Sequence, residues 1–130
     1  MCFIIDKKHK NAILAKKDVV CYKRFASKKA HPEIYAGLTD NILISPIKEY
    51  RYEMGETYVE DTMKPFGKTI FAGLHSYKSE VMALRHANSY GDEIVVACII
   101  PKGAKYFYNS YDEEYVSDEL KIGKLEGTNW

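Results

Sequence analysis

Ile94-Val-Val-Ala-Cys-Ile-Ile100, followed at once by Pro101-Lys-Gly103, is the stretch on which the fold turns. An unbroken apolar run of this length, rich in β-branched Ile and Val, is too short for a typical helix and matches a strand covered on both faces. The Pro and Gly that follow it end the strand in a turn. The segment is therefore expected at the centre of a sheet.

The pattern on either side names its neighbours. Before it, Ser79 is a good N-cap, Glu80 suits the positive end of a helix dipole, and Val81, Leu84 and Ala87 recur at spacing three until Gly91. This predicts one main helix over about residues 79–90, packed through those three side chains. After it, Ala104, Tyr106 and Tyr108 alternate with Lys105, Phe107 and Asn109, and Val116, Leu120 and Ile122 anchor a last strand before a polar tail, Gly123 to Trp130.

Further upstream, Thr69-Ile-Phe-Ala72 reads as a strand and Asp61 to Lys68, with Pro65 and Gly67, as an exposed loop. Tyr50, Tyr52 and Met54 alternate with Glu49, Arg51 and Glu53, as in a half-buried antiparallel strand, and Gly55 permits a turn into Thr57-Tyr-Val59. Residues 26–41, with His31-Pro32, Gly37 and Asp40-Asn41, suggest an irregular connection. Val19 to Phe25 is the first substantial strand, with Val19, Cys21 and Phe25 on one side, interrupted by Lys23. Asn11 to Asp18 fits a helical turn or a loop, and Phe3-Ile-Ile5 a short strand. Strands without intervening helices favour an α+β class with a bent or split, mostly antiparallel sheet over a doubly wound parallel one.

At 130 residues the chain is expected to form a single domain over 1–130. Its opening apolar stretch, Cys2 to Ile5, is shorter than a signal-peptide core, so a cytoplasmic location is expected, with no membrane partner. Cys2, Cys21 and Cys98 are odd in number and sit among apolar neighbours, which fits buried thiols in a reducing compartment. No Cys-x-x-Cys or His-x-x-x-His spacing is present, so no metal is expected, and there is neither a P-loop nor a Gly-x-Gly-x-x-Gly. Residues 1–30 carry nine Lys or Arg against Asp6 and Asp18, a balance of +7, while the remainder carry ten against sixteen, −6. Lys16, Lys17, Lys28 and Lys29 are dispersed, without interleaved Arg and Gly, so nucleic-acid binding is not expected.

The order Gly73-Leu-His-Ser-Tyr77, helix, Ile94 to Ile100 with Pro101-Lys-Gly103, then Glu114-Tyr-Val-Ser-Asp-Glu119 resembles the second half of an ADP-ribosyltransferase core. The resemblance covers about half the chain and implies a split sheet holding a bent NAD in its cleft. It implies a first-strand element at Tyr22-Lys23-Arg24, a second at His75-Ser76-Tyr77 and an acidic one within Glu113 to Glu119. His75-Ser76-Tyr77 stands where the family has Ser-Thr-Ser or a Tyr element, and Asp118-Glu119 and Glu113-Glu114 where it has Glu-x-Glu. Carried over, Arg24, His75, Ser76 and Tyr77 would bind the dinucleotide: Arg24 a phosphate, Tyr77 a base or the nicotinamide, His75 the ribose hydroxyls. Glu119 would be the catalytic carboxylate if the chain is an enzyme, stabilising an oxocarbenium ion.

The same residues have plainer uses. Glu113, Glu114, Asp118 and Glu119 suit a solvated acidic rim, His75 a loop position capping backbone groups, and Arg24 a cross-strand ion pair. A wider resemblance, through Lys17 to Lys23, Tyr50 to Gly55, Gly73 to Tyr77 and Ile100 to Ala104 with Tyr115-Val-Ser117, is to small proteins of gut bacteria and their phages. It implies the alternative of a non-enzymatic phage or mobile-element protein that binds a host protein or a nucleotide signal.

Overall fold

The apolar run becomes β10 (Glu93–Ile100), and its neighbours show why it is central. It pairs along its whole length with β3 (Val19–Ala26), from Glu93↔Ala26 to Ile100↔Val19, and on its other edge with β13 (Glu119–Ile122). In this computed structural model residues 3–26, 42–44, 51–60, 63–70, 72–85 and 93–123 are described. The other elements are β1 (Phe3–Ile4), β2 (Ile13–Leu14), β4 (Ile42–Ile44), β5 (Arg51–Glu53), β6 (Thr57–Val59), β7 (Pro65–Phe66), β8 (Thr69–Ile70), β9 (Leu74–Tyr77), α1 (Glu80–Leu84), β11 (Lys105–Asn109) and β12 (Glu114–Ser117). The large sheet runs β2-β11-β12-β9-β3-β10-β13-β6, with β4 and β5 joined to β3, and a small sheet runs β1-β8-β7. Every pairing among the described residues is antiparallel.

The large sheet consists of two halves. In one, β2, β11, β12 and β9 form hairpin-like ladders; in the other, β3, β10, β13 and β6 do. Several links join them. One is the single pair Tyr22↔Tyr77 between β3 and β9. The chain itself crosses between β2 and β3 and between β10 and β11, where Ala15 N donates to the Ala104 carbonyl and Gly103 N to the Ala15 carbonyl, both at 2.8 Å. It crosses again at Asp118, where β12 leaves one half and β13 enters the other. Asp118 pins this corner: its N–H donates to the Lys105 carbonyl (3.0 Å), its Oδ1 accepts from Lys105 N (2.9 Å) and its carbonyl accepts from Glu60 N (2.7 Å).

Strand alternation then sends one face of both halves into a common core. Cys21, Phe25, Val96, Cys98, Ile100, Leu120 and Ile122 come from one half, Ala104 and Tyr115 from the other, with Tyr52, Met54, Tyr58, Tyr106 and Tyr108 packed at the margin. Edge-to-face contacts, Phe25–Tyr52 at 5.7 Å and Tyr52–Tyr58 at 4.9 Å between centroids, close it. Phe107 and Val116, the alternate residues of β11 and β12, point to the other side and meet Phe3 and Ile70 of the small sheet. The N-terminal segment is held there by Asp6, whose buried carboxylate accepts from Lys8 N, Ser110 N and Ser110 Oγ, while Asn109 Nδ2 donates to the Ile4 carbonyl.

Several expectations need correcting. The helix is a five-residue turn, Glu80–Leu84, capped as expected by Ser79, whose Oγ accepts from Met82 N at 3.2 Å. It packs on β3, β9 and β10 through Ala83, which is fully buried, whereas Val81 is 76% and Leu84 48% exposed. With so short a helix the residue beneath it must be small, and the larger apolar side chains turn outward. Ala87 and the continuation over 86–90 lie outside the described residues, as do the connection beyond Ala26, the segment Ile47 to Tyr50 and the tail after Gly123. Asn11 to Asp18 contains a short strand, and the expected loop Asp61 to Lys68 contains β7, turned back through Gly67 onto β8. The result is a mostly antiparallel β structure with one short helix among the described residues.

Two outcomes follow. Ile100→Ala should cost ~2–5 kcal/mol, as deletions in a closed core do. Leu84→Ala should cost no more than roughly 0.5 kcal/mol as a surface change, and denaturant midpoints of the two variants make the comparison. Three hydrogen bonds, the strongest from the Ser110 hydroxyl, then those from Lys8 and Ser110 backbone N–H, lower the Asp6 carboxyl from 3.8 to about 2. Because the folded value is depressed, its contribution is complete above 3.8 and is lost as pH falls to about 2. Asp6→Asn should flatten the stability profile in that window.

Candidate functional site

The candidate residues converge where the two halves meet. From the bridge Tyr22↔Tyr77 the ladder continues as Tyr77↔Glu114 and Glu114↔Asn109, placing Tyr22, Tyr77, Glu114 and Asn109 in one row across β3, β9, β12 and β11. Two residues along each strand, Arg24 and His75 lie on the same face by alternation. Here the backbone ladder between β3 and β9 has ended, so Arg24 and His75 face each other across a gap in the pairing.

Lys23 fills the opening from the core side. Its position between Cys21 and Phe25 directs it inward, and its Nζ donates to the His75 carbonyl at 2.8 Å, close to where ladder bonding stops. The ammonium also stands 5.7 Å above the Tyr52 ring. Burial pushes its pKa down from 10.5, opposed by the thiols of Cys98 and Cys21 and the Glu114 carboxylate, and reinforced by Arg24. A lysine thus ties β9 to β3 where backbone groups do not.

On the outer face, His75 Nδ1 and Glu114 Oε2 are 3.1 Å apart, their side chains 24% and 11% exposed. A carboxylate on one ring nitrogen fixes the imidazole's orientation and leaves the other nitrogen for a second partner. Tyr77, directly across from Glu114, has its phenol pushed up to about 12, first by burial and then by the Glu114 charge, with Arg24 acting in the opposite direction. Tyr77 is a hydrogen-bond donor at neutral pH. Glu114 is set by an unusual turn: Glu113 has φ 51°, rare for a side chain of its size, and its carbonyl accepts from Lys78 N at 2.8 Å. At the other end of β9, a Cβ on Gly73 would collide with the Val116 side chain, so the strand enters the site only through glycine.

The remaining two sequence candidates lie elsewhere. Ser76 points to the opposite face and is fully buried, its hydroxyl without a hydrogen-bond partner among the described residues. Its place between His75 and Tyr77 requires this, because neighbours in a strand face opposite ways. Glu119 belongs to β13. The register Cys98↔Ile122 and Ile99↔Lys121, extended, places it opposite Pro101, whereas Arg24 opposes Val95. At ~3.3 Å per residue the two are separated by roughly 20 Å along the strands. The carboxylate beside His75 and Tyr77 is Glu114, which sequence placed within the acidic stretch without singling it out. Lys23 was legible only as an interruption in an apolar face.

Among the described residues no group of three or more His, Cys, Asp or Glu is arranged to hold a metal ion, and no helix is long and apolar enough to cross a membrane. No protein-family model, curated protein or solved structure matches the chain.

Lys23→Met should reveal the buried amine through proton linkage. The unfolded chain holds this proton up to 10.5 while the folded chain releases it earlier, so wild type should gain stability relative to the variant as pH rises. Denaturant unfolding of both proteins from neutral pH to about 9 checks this, and parallel stabilities across the series would contradict it.

Proposed function

We propose that the open seam between β3 and β9 is a nucleotide-binding cleft of ADP-ribosyltransferase type, with NAD or an ADP-ribosyl compound as its ligand. The observation that carries this reading is the placement of Arg24, His75 and Tyr77 on one face of two adjoining strands, with the Glu114 carboxylate hydrogen-bonded to His75. In this reading Arg24 takes a phosphate, for which a guanidinium offers paired donors. The Tyr77 ring stacks on the nicotinamide or a base. His75, held by Glu114, uses its free nitrogen on a ribose hydroxyl. If the site is catalytic, Glu114, not Glu119, faces the ribosyl carbon, where a carboxylate stabilises the positive charge that develops as nicotinamide leaves.

Thermal shift with NAD and ADP-ribose tests the binding. At ~100 times its dissociation constant a ligand adds ~2.7 kcal/mol. Arg24→Ala should abolish the shift and Glu119→Gln should leave it intact. Glu114→Gln should retain most of the shift and lose any NAD glycohydrolase activity, which separates binding from chemistry. No shift with either ligand in wild type would reject the reading.

One observation favours a second reading, an interaction protein that binds a host protein: α1 turns Val81 and Leu84 outward, away from the sheet it packs on. Under that reading Val81→Asp with Leu84→Asp abolishes partner binding and Arg24→Ala does not.

A further inference from the structure

We infer that Cys21 and Cys98 form a reversible cross-strand disulfide that locks β3 to β10. The two residues are direct partners in an eight-pair ladder, with Ala97↔Tyr22 on one side and Ile99↔Val20 on the other, so their register is fixed in both directions. Both side chains leave the ladder on the same face, into the same core, and both are fully buried. Opposed residues in an antiparallel pair have Cα atoms ~4.5 or ~5.5 Å apart, within the ~4.4–6.8 Å that a disulfide spans. Their Cβ atoms stand ~4.5–5.5 Å apart in such pairs, against the ~3.8 Å a relaxed disulfide prefers. Closing the bond therefore draws the strands together and strains it, and strained disulfides are the readily reduced ones.

The reaction balances as thiol–disulfide exchange. The Cys21 and Cys98 thiols give up two protons and two electrons, one S–S bond forms between them, and an added low-molecular-weight disulfide is cleaved into two thiols. In the folded chain the reaction is slow. Burial pushes Cys21 up to about 12 and Cys98 to about 11, so thiolate is scarce, and the core excludes the oxidant. Loosening the sheet without unfolding it speeds the reaction.

The bond changes more than two strands. Cys21 is followed directly by Tyr22, which pairs with Tyr77, and by Lys23, whose Nζ donates to the His75 carbonyl, so it adjoins both contacts that tie β3 to β9. Drawing Cys21 towards Cys98 shifts β3 beside both of those contacts.

The test uses the full chain carrying Cys2→Ser, incubated with mixtures of oxidised and reduced glutathione, with and without sub-denaturing urea. After acid quench and alkylation, peptide mass spectrometry counts the species. The inference expects a linked Cys21–Cys98 peptide as the main oxidised product, formed several-fold faster in urea, a melting temperature raised by oxidation, and full reversal by dithiothreitol. Cys98→Ala and, separately, Cys98→Val should each abolish the oxidation-dependent rise; either variant suffices if the other does not fold. Recovery of only free thiols or glutathione adducts at Cys21 and Cys98, in the Cys2→Ser chain loosened by urea, would overturn it.

Discussion

The hydrogen bond from Lys23 to the His75 carbonyl is the interaction on which the arrangement of the molecule rests. Without it β3 and β9 would meet through the single pair Tyr22↔Tyr77, and the halves would be held by the chain crossings and the shared core. An ammonium in that place has a cost, since burial acts against its charge, and it is offset by a carbonyl, a tyrosine face and the nearby Glu114. The same group therefore determines where the sheet closes, how His75 is presented and how much proton linkage the fold carries. A methionine of similar length would fill the space but could not bridge the strands.

The polar cluster on the outer face inherits its geometry from that joint. Pairing of β9 with β12 places Tyr77 opposite Glu114, and alternation places Arg24 and His75 beside them. The alternate residues of the same strands, Cys21, Ser76 and Tyr115, belong to the core. Core and site are thus two faces of one set of strands, and a change at Ser76 or Cys21 is felt across a single backbone layer. The strained turn at Glu113 fits this picture, because Glu114 must leave the turn already aimed at His75.

How much of this was legible in sequence depended on whether local pattern or register decided the matter. Ile94 to Ile100 announced itself as the central strand because an apolar run can be read without knowing its partners. The alternation of Tyr106 and Tyr108 with Phe107 marked β11 as a strand, but not that the small sheet would cover its Phe107 face while the tyrosines line the large core. The helix was misread because Val81 and Leu84 at spacing three look like a core stripe, whereas contact with three strands over five residues leaves room only for Ala83. In the candidate site, Arg24, His75 and Tyr77 fell together as their segments suggested. Ser76 and Glu119 did not, the first because strand alternation reverses it, the second because the chain turns a corner at Asp118 that no local motif marks.

That corner has a mechanical meaning. The two halves are fastened at the Tyr22↔Tyr77 pair, at Asp118 and where residues 15–18 lie against residues 101–104. Fastened at separate places around one shared core, the halves cannot part like the covers of a book without breaking core contacts and backbone hydrogen bonds together.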